Sequence, residues 1–154
     1  MLTLQKETKD GVLLVKLIGS VDESTKFDDL IGPVPSEIRV VCKEIQRINS
    51  VGVKSWIKYF QGLRNKGIKI TYVDCSTSII EQANLVSNFL AGGEIESLYV
   101  PYSCTTCHSE LIALFKAQDI KTNYHRFLQI KCTKCAGKAI FDDIPEEYFS
   151  FLNR

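Results

Sequence analysis

Glu37-Ile38-Arg39-Val40-Val41-Cys42-Lys43-Glu44-Ile45, then Val53, Trp56, Ile57, Phe60 and Leu63, then Ile68-Lys69-Ile70-Thr71-Tyr72-Val73, is the stretch that decides the fold. The first run is rich in β-branched residues and reads as a mostly buried strand. The five apolar residues from Val53 recur at the 3, 1, 3, 3 steps of an amphipathic helix. Gly67 ends that helix, because glycine reaches the left-handed conformation of a C-terminal cap at little cost. The third run is again a strand. Strand, helix, strand in this order implies parallel neighbours joined by a right-handed crossover.

The same alternation extends outward. Leu2 to Thr8 alternates apolar and polar, Lys9-Asp10-Gly11 is a turn, and Val12 to Ile18 is a second strand, so the chain opens with a hairpin. Asp22 to Leu30 reads as a short helix, and Pro33 and Pro35 mark a connection. Ser78 followed by Glu81 has the spacing of a capping box. It opens a helix with Ile79, Ile80, Ala83, Val86 and Leu90 on its apolar face. Ala91-Gly92-Gly93 breaks that helix, and Ile95 to Val100 is a last strand. The expected fold class is α/β, a mixed sheet packed with helices.

Beyond this point the pattern changes. Cys104-Thr105-Thr106-Cys107 and Cys132-Thr133-Lys134-Cys135 are two Cys-x-x-Cys turns, each aiming two sulfurs into one small space. Four thiolates suit one tetrahedral Zn²⁺, the expected cofactor, or iron in a rubredoxin-like site. Such a shell leaves no open position for water or substrate, so the site reads as structural and no catalytic residue is assigned. Glu110 to Phe115, His125 to Lys131 and Lys138 to Phe141 are candidate strands around a polar tip at Asp119 to Asn123. Pro145-Glu146-Glu147 starts a short helix, with proline and acids in its first turn. Residues 1–98 therefore form the sheet-and-helix domain, and residues 99–154 a zinc ribbon ending in a short helix. So small a ribbon needs its metal for folding energy. His108 and His125 are expected beside the site or in packing, since four sulfurs already fill the shell. Cys42 and Cys75 lie in strand-like apolar surroundings and read as core residues.

Composition bounds the function. Nineteen Lys and Arg against 18 Asp and Glu give a formal charge of +1, with no strong field for nucleic acid or an anionic membrane. Residues 99–154 hold seven Lys/Arg and six Asp/Glu, and metal-bound thiolates make this segment slightly acidic. That argues against the phosphate contacts of a nucleic-acid-binding ribbon. No apolar run approaches a membrane span and no export signal opens the chain, so a cytoplasmic protein is expected. A redox-sensing use of the cysteine pairs stays open beside the metal reading, as does a nucleic-acid-binding ribbon.

At Asn49-Ser50-Val51-Gly52-Val53 the chain resembles the STAS domain of bacterial anti-sigma-factor antagonists, in which Asp-Ser-x-Gly-hydrophobic stands between a buried strand and a long helix. Gly19-Ser20-Val21-Asp22 resembles that family's Gly-x-hydrophobic-Asp, and Lys66-Gly67-Ile68-Lys69-Ile70 its glycine before a strand. The resemblance covers about residues 1–98; the chain carries Asn49 where the family carries Asp. It implies a STAS-like mixed sheet and a non-catalytic switch protein that works by protein–protein interaction. In that family the serine after the Asp is phosphorylated and phosphorylation releases the partner. Carried over, the serine is Ser50, beside Asn49, and the loop acid is Asp22. The implied partner is an anti-sigma factor or a serine kinase. Ser50 also reads, from position alone, as the cap of the following helix, and the two roles are compatible because a helix N-terminus accepts a phosphate well.

Overall fold

A computed structural model describes residues 1–153; Arg154, the last residue of the second segment, lies outside the described residues. Two sheets share one continuous apolar core. The first is built from β1 (Leu2–Lys9), β2 (Val12–Val21), β3 (Glu37–Ile48), β4 (Lys69–Val73) and β5 (Glu94–Ile95), in spatial order 1-2-3-4-5. The β1–β2 hairpin is antiparallel, and every later pair in this sheet is parallel. Helices α1 (Phe27–Ile31), α2 (Ser50–Asn65) and α3 (Thr77–Leu85) fill the crossovers. Leu13, Val15 and Leu17 on β2 and Ile38, Val40 and Cys42 on β3 are buried, while the residues between them are not. That period of two leaves one face of the sheet packed and the other open. The α/β class and the mixed sheet read from the sequence are observed.

The packed face carries an aromatic cluster. Trp56, fully buried, stacks on Phe89 at a centroid distance of 5.0 Å, lies 5.9 Å from Tyr72 and meets Phe27 edge-on. Its indole N–H donates to the Phe89 carbonyl at 3.1 Å, so the one polar atom of this large side chain is satisfied. Cys42 and Cys75 are fully buried core residues, as read.

The second sheet contains β6 (Ser97–Cys104), β7 (Glu110–Lys116), β8 (Gln129–Lys131) and β9 (Lys138–Phe141), all antiparallel, in order β7-β6-β9-β8. The expected single strand from Ile95 to Val100 is two pieces: the chain pairs with β4 at Glu94–Ile95, then crosses to the second sheet at Ser97. Asp74, at φ 51°, makes the crossing possible. The Ser97 hydroxyl donates to the Asp74 carboxylate and accepts from the Asp74 amide, both at 2.8 Å. Cys75 then pairs with Leu98 in a parallel bridge, donating to Ser97 and accepting from Tyr99. The expected polar tip is helix α4 (Ala117–Thr122), because Ala117 and Ile120 turn inward to the core. The expected strand over His125 to Lys131 begins as a 3₁₀ turn (Tyr124–Phe127), started by the Asn123 side chain accepting from the His125 amide. That turn carries Phe127 to within 4.7 Å of Phe115, and Tyr124 to 5.5 Å from Phe149.

The C-terminal helix α5 (Pro145–Tyr148) and the 3₁₀ turn after it (Ser150–Asn153) pack against α3 and the second sheet. Phe149 stacks on Phe141, and the Tyr148 hydroxyl donates to the Tyr99 carbonyl at 2.6 Å. Asn84 of α3 holds the turn: its amide donates to Tyr148, and its carbonyl accepts from the Ser150 hydroxyl and the Phe151 amide, each at 2.9 Å. No helix among the described residues is long and apolar enough to cross a membrane.

Gly52 lies where α2 starts against the end of β2. A Cβ there would overlap the Val21 carbonyl oxygen, a backbone atom that cannot swing aside. Gly52→Ala is expected to lower unfolding stability by about 1–3 kcal/mol through overpacking, measured by urea denaturation followed through Trp56 fluorescence.

Candidate metal centre and switch surface

The chain builds its cysteine site twice with the same turn. In the first copy the Cys104 amide donates to the Ser109 carbonyl at 3.0 Å, and His108 donates to Cys104 at 3.1 Å. In the second the Cys132 amide donates to Gly137 at 2.7 Å, and Ala136 donates to Cys132 at 2.9 Å. His108 and Ala136, each directly after the second cysteine of its pair, both adopt positive φ, 59° and 64°. This left-handed residue closes the knuckle and sends the next strand back. His108 thus has a backbone role in the turn.

Each knuckle directs amides at its sulfurs. Thr106 and Cys107 N–H lie 3.4 Å from Cys104 Sγ, Lys134 N–H lies 3.4 Å from Cys132 Sγ, and Gly137 N–H lies 3.4 Å from Cys135 Sγ. The two knuckles meet face to face because β6 and β9 are paired at Cys104↔Ala139. All four sulfurs, Cys104, Cys107, Cys132 and Cys135, fall within 4.8 Å of one another. Cys104 and Cys135 sulfurs are 3.5 Å apart, and those of Cys107 and Cys132 are 3.8 Å apart. A tetrahedron with metal–sulfur bonds of 2.3 Å has edges of about 3.8 Å, so the spacing fits one four-coordinate ion. Cys104 and Cys132 are buried, and Cys107 and Cys135 are at the surface.

Protonation points the same way. The Ser109 hydroxyl, 3.2 Å from Cys107 Sγ, brings the Cys107 thiol down to about 6, and the Cys107 amide lowers Cys104. At Cys135 the Gly137 amide favours the thiolate, but the Cys104 thiol and desolvation outweigh it and push the group up to about 11. Four sulfurs this close cannot all be charged unless a cation lies among them. A bound metal ion would release the remaining protons and be held by all four. The four cysteines can therefore hold a single ion, as read from their spacing.

Gly137 is set by the opposite knuckle. A Cβ on it would come within 2.6 Å of the Thr106 hydroxyl and 3.2 Å of Cys135 Sγ. Nothing in the spacing of the cysteines shows this, since Ser109 holds the equivalent place in the first knuckle.

Of the residues implied by the resemblance, Asn49 and Ser50 lie at the start of α2 and Asp22 lies in the β2–α1 loop. Asn49, not Ser50, is the cap: its side-chain oxygen accepts from the Gly52 amide at 2.8 Å. Asn49 has the extended backbone a cap requires, while Ser50 is already helical. Ser50 is exposed, and among the described residues its hydroxyl has no hydrogen-bond partner. Asp22 does not open a helix; it closes a turn, accepting from the Ser24 hydroxyl at 2.6 Å and the Ser24 amide at 2.9 Å. Local side-chain bonds of this kind compete with helix formation, which starts only at Phe27. They hold the Asp22 carboxyl below its ordinary value. Glu23, which no motif in the sequence marks, accepts from the Asn49 amide nitrogen at 2.9 Å, and this bond lowers its pKa. Asn49 therefore serves two partners, an amide of α2 and an acid of the β2–α1 loop. An Asp in its place would keep the cap and repel Glu23. In the same way Ser76, not Ser78, caps α3, accepting from the Ile79 amide, while the Ser78 hydroxyl donates to Gln46.

No family model matches the chain, and no curated protein matches it.

Cys132→Ser removes one of the two buried sulfurs of the cluster, so the capacity to hold one ion per chain, measured by elemental analysis after metal loading, is expected to fall to well below one. Hydrogen exchange should quicken at Gln129–Lys131 and Lys138–Phe141, the strands flanking the second knuckle, and change little in β1 to β4.

Proposed function

We propose that this protein is a non-catalytic bacterial regulator that works by protein–protein interaction, with a STAS-like domain as its switch and a structural Cys₄ zinc site in its second sheet. The observation that carries the reading is the exposed, unpartnered Ser50 hydroxyl in the first turn of α2, next to a cap already supplied by Asn49. A phosphate on Ser50 would break no internal bond. It would sit at a helix N-terminus, where the dipole favours an anion. The fold would persist while the surface a partner meets gained nearly two negative charges. The five-strand order with an antiparallel first hairpin and a helix in each crossover supports the STAS-like assignment.

Zinc is the metal that suits this donor set best, being held by four thiolates in structural sites. Its four ligands come from two loops anchored on β6, β8 and β9, so the ion ties those strands together. The second sheet would then hold α3 and the C-terminal turn in place beside the switch domain.

Ser50→Asp is expected to lose a partner that wild type and Ser50→Ala retain when each is used as bait in lysate of the native cell. Equal retention by all three, with no phosphate found on Ser50 by peptide mapping, would defeat the switch reading.

A further inference from the structure

β7 is the outer strand of the second sheet, with β6 on one side and no strand on the other among the described residues. Its backbone directions follow from the bonds its neighbour makes. In an antiparallel ladder the N–H and C=O of one residue point to the same side. On β6, Ser97 accepts from the Cys75 amide at 3.0 Å, Tyr99 donates to the Cys75 carbonyl at 2.9 Å, and Pro101 accepts from the Asp142 amide at 3.0 Å. All three face away from β7. Their partners across the ladder are Lys116, Leu114 and Ile112, which therefore face away from β6, toward the open edge. Glu110, opposite Ser103, continues the alternation. Among the described residues no hydrogen bond reaches the backbone groups of Glu110, Ile112 or Leu114 from outside the sheet; Lys116, at the end of the strand, is also the N-cap of α4.

The side chains beside that edge are apolar. Ile112 is 62% exposed and Leu114 45%, and Tyr99 and Pro101 lie next to them on the same face of the sheet. No proline or bulge interrupts β7, and its only charges are at its two ends. An edge of this kind is a template for another strand unless it is covered.

We propose that β7 pairs antiparallel with β7 of a second copy of this chain, about a twofold axis at Ala113, to form one eight-stranded sheet. Strand geometry narrows the register, because outward-facing residues must meet outward-facing residues. Centring on Ala113 sets Ile112 against Leu114 of the second copy, and Glu110 against Lys116 of the second copy at both ends. Leu111 then meets Phe115 on the inner face. Centring on Ile112 would leave Glu110 against Leu114, and centring on Leu114 would leave Lys116 against Ile112. Only the Ala113 register pairs every charge with its opposite and every apolar residue with another. The strand Glu110-Leu111-Ile112-Ala113-Leu114-Phe115-Lys116 is thus complementary to itself when reversed. The contact is isologous, so it closes at two copies and leaves neither β7 edge open.

Sedimentation equilibrium of the metal-loaded full chain tests this. Wild type is expected at twice the chain mass of 17.4 kDa. Glu110→Lys alone and Lys116→Glu alone each put like charges together at both ends and are expected to weaken the dimer by at least about tenfold. The double variant carrying both reversals restores opposite pairs and is expected to dimerise like wild type. Circular dichroism and metal content show that each variant is folded, and Ile112→Asp, which buries a charge at the contact, should be monomeric. A wild type that stays at the mass of one chain overturns the proposal. So does a dimer unmoved by either single reversal, or one the double reversal fails to restore.

Discussion

The continuous run from Glu94 to Cys104 is the constraint on which the rest depends. Its first residues pair with β4 and complete one sheet; its later residues are the central partner of β7 and β9 in the other. The crossing is fixed by the Asp74–Ser97 hydrogen bonds and the bridge at Cys75. Because backbone groups at the crossing are buried, each must find a partner there, and the Cys75 ladder supplies them. The run ends on Cys104, so the first cysteine is positioned by the same strand that joins the two sheets. The cysteine cluster and the start of α2 are in this way parts of one packed body that shares a single apolar core.

The cysteine cluster shows how local and long-range order share the work. Each knuckle is a local object, made by a left-handed residue after the second cysteine and by amides turned toward sulfur. Bringing the two knuckles together requires β6 and β9 to pair in the right register. An ion in the cluster would stabilise that register, since four sulfurs at these distances repel one another as thiolates without it. The C-terminal turn contributes from the opposite side, with Tyr148, Phe149 and Phe151 buried against the sheet and α3. The second sheet therefore depends less on a bound ion for a core than its length alone suggests. It shares the apolar interior of the first sheet.

Around α2 the structure changes the meaning of residues without moving them. Position 49 holds the cap and position 50 the free hydroxyl, a division that position in the chain alone does not make. Glu23 enters the site only because the β2–α1 loop folds as an Asp22-centred turn beside Asn49. The amide at 49 is the side chain that can accept from Gly52 and donate to Glu23 at once.

The sequence by itself determined the α/β class, the opening hairpin, the helix stripe around Trp56 and the four cysteines that meet. Each rests on local periodicity or on a spacing fixed by covalent geometry. Only the tertiary structure decided that the strand after Gly93 changes sheets, that α4 replaces a polar tip, and that a 3₁₀ turn starts at Tyr124. It also decided that Asn49 and Ser76, not Ser50 and Ser78, are the caps. These depend on partners distant in sequence: Ile120 and Phe127 turn inward because a core formed by other elements accepts them. Caps shift by a residue or two because several hydroxyl and amide side chains near a helix start compete, and packing selects among them. A short segment carries no record of which distant surface will cover it, so its period can name an element and still leave its ends and its neighbours undecided.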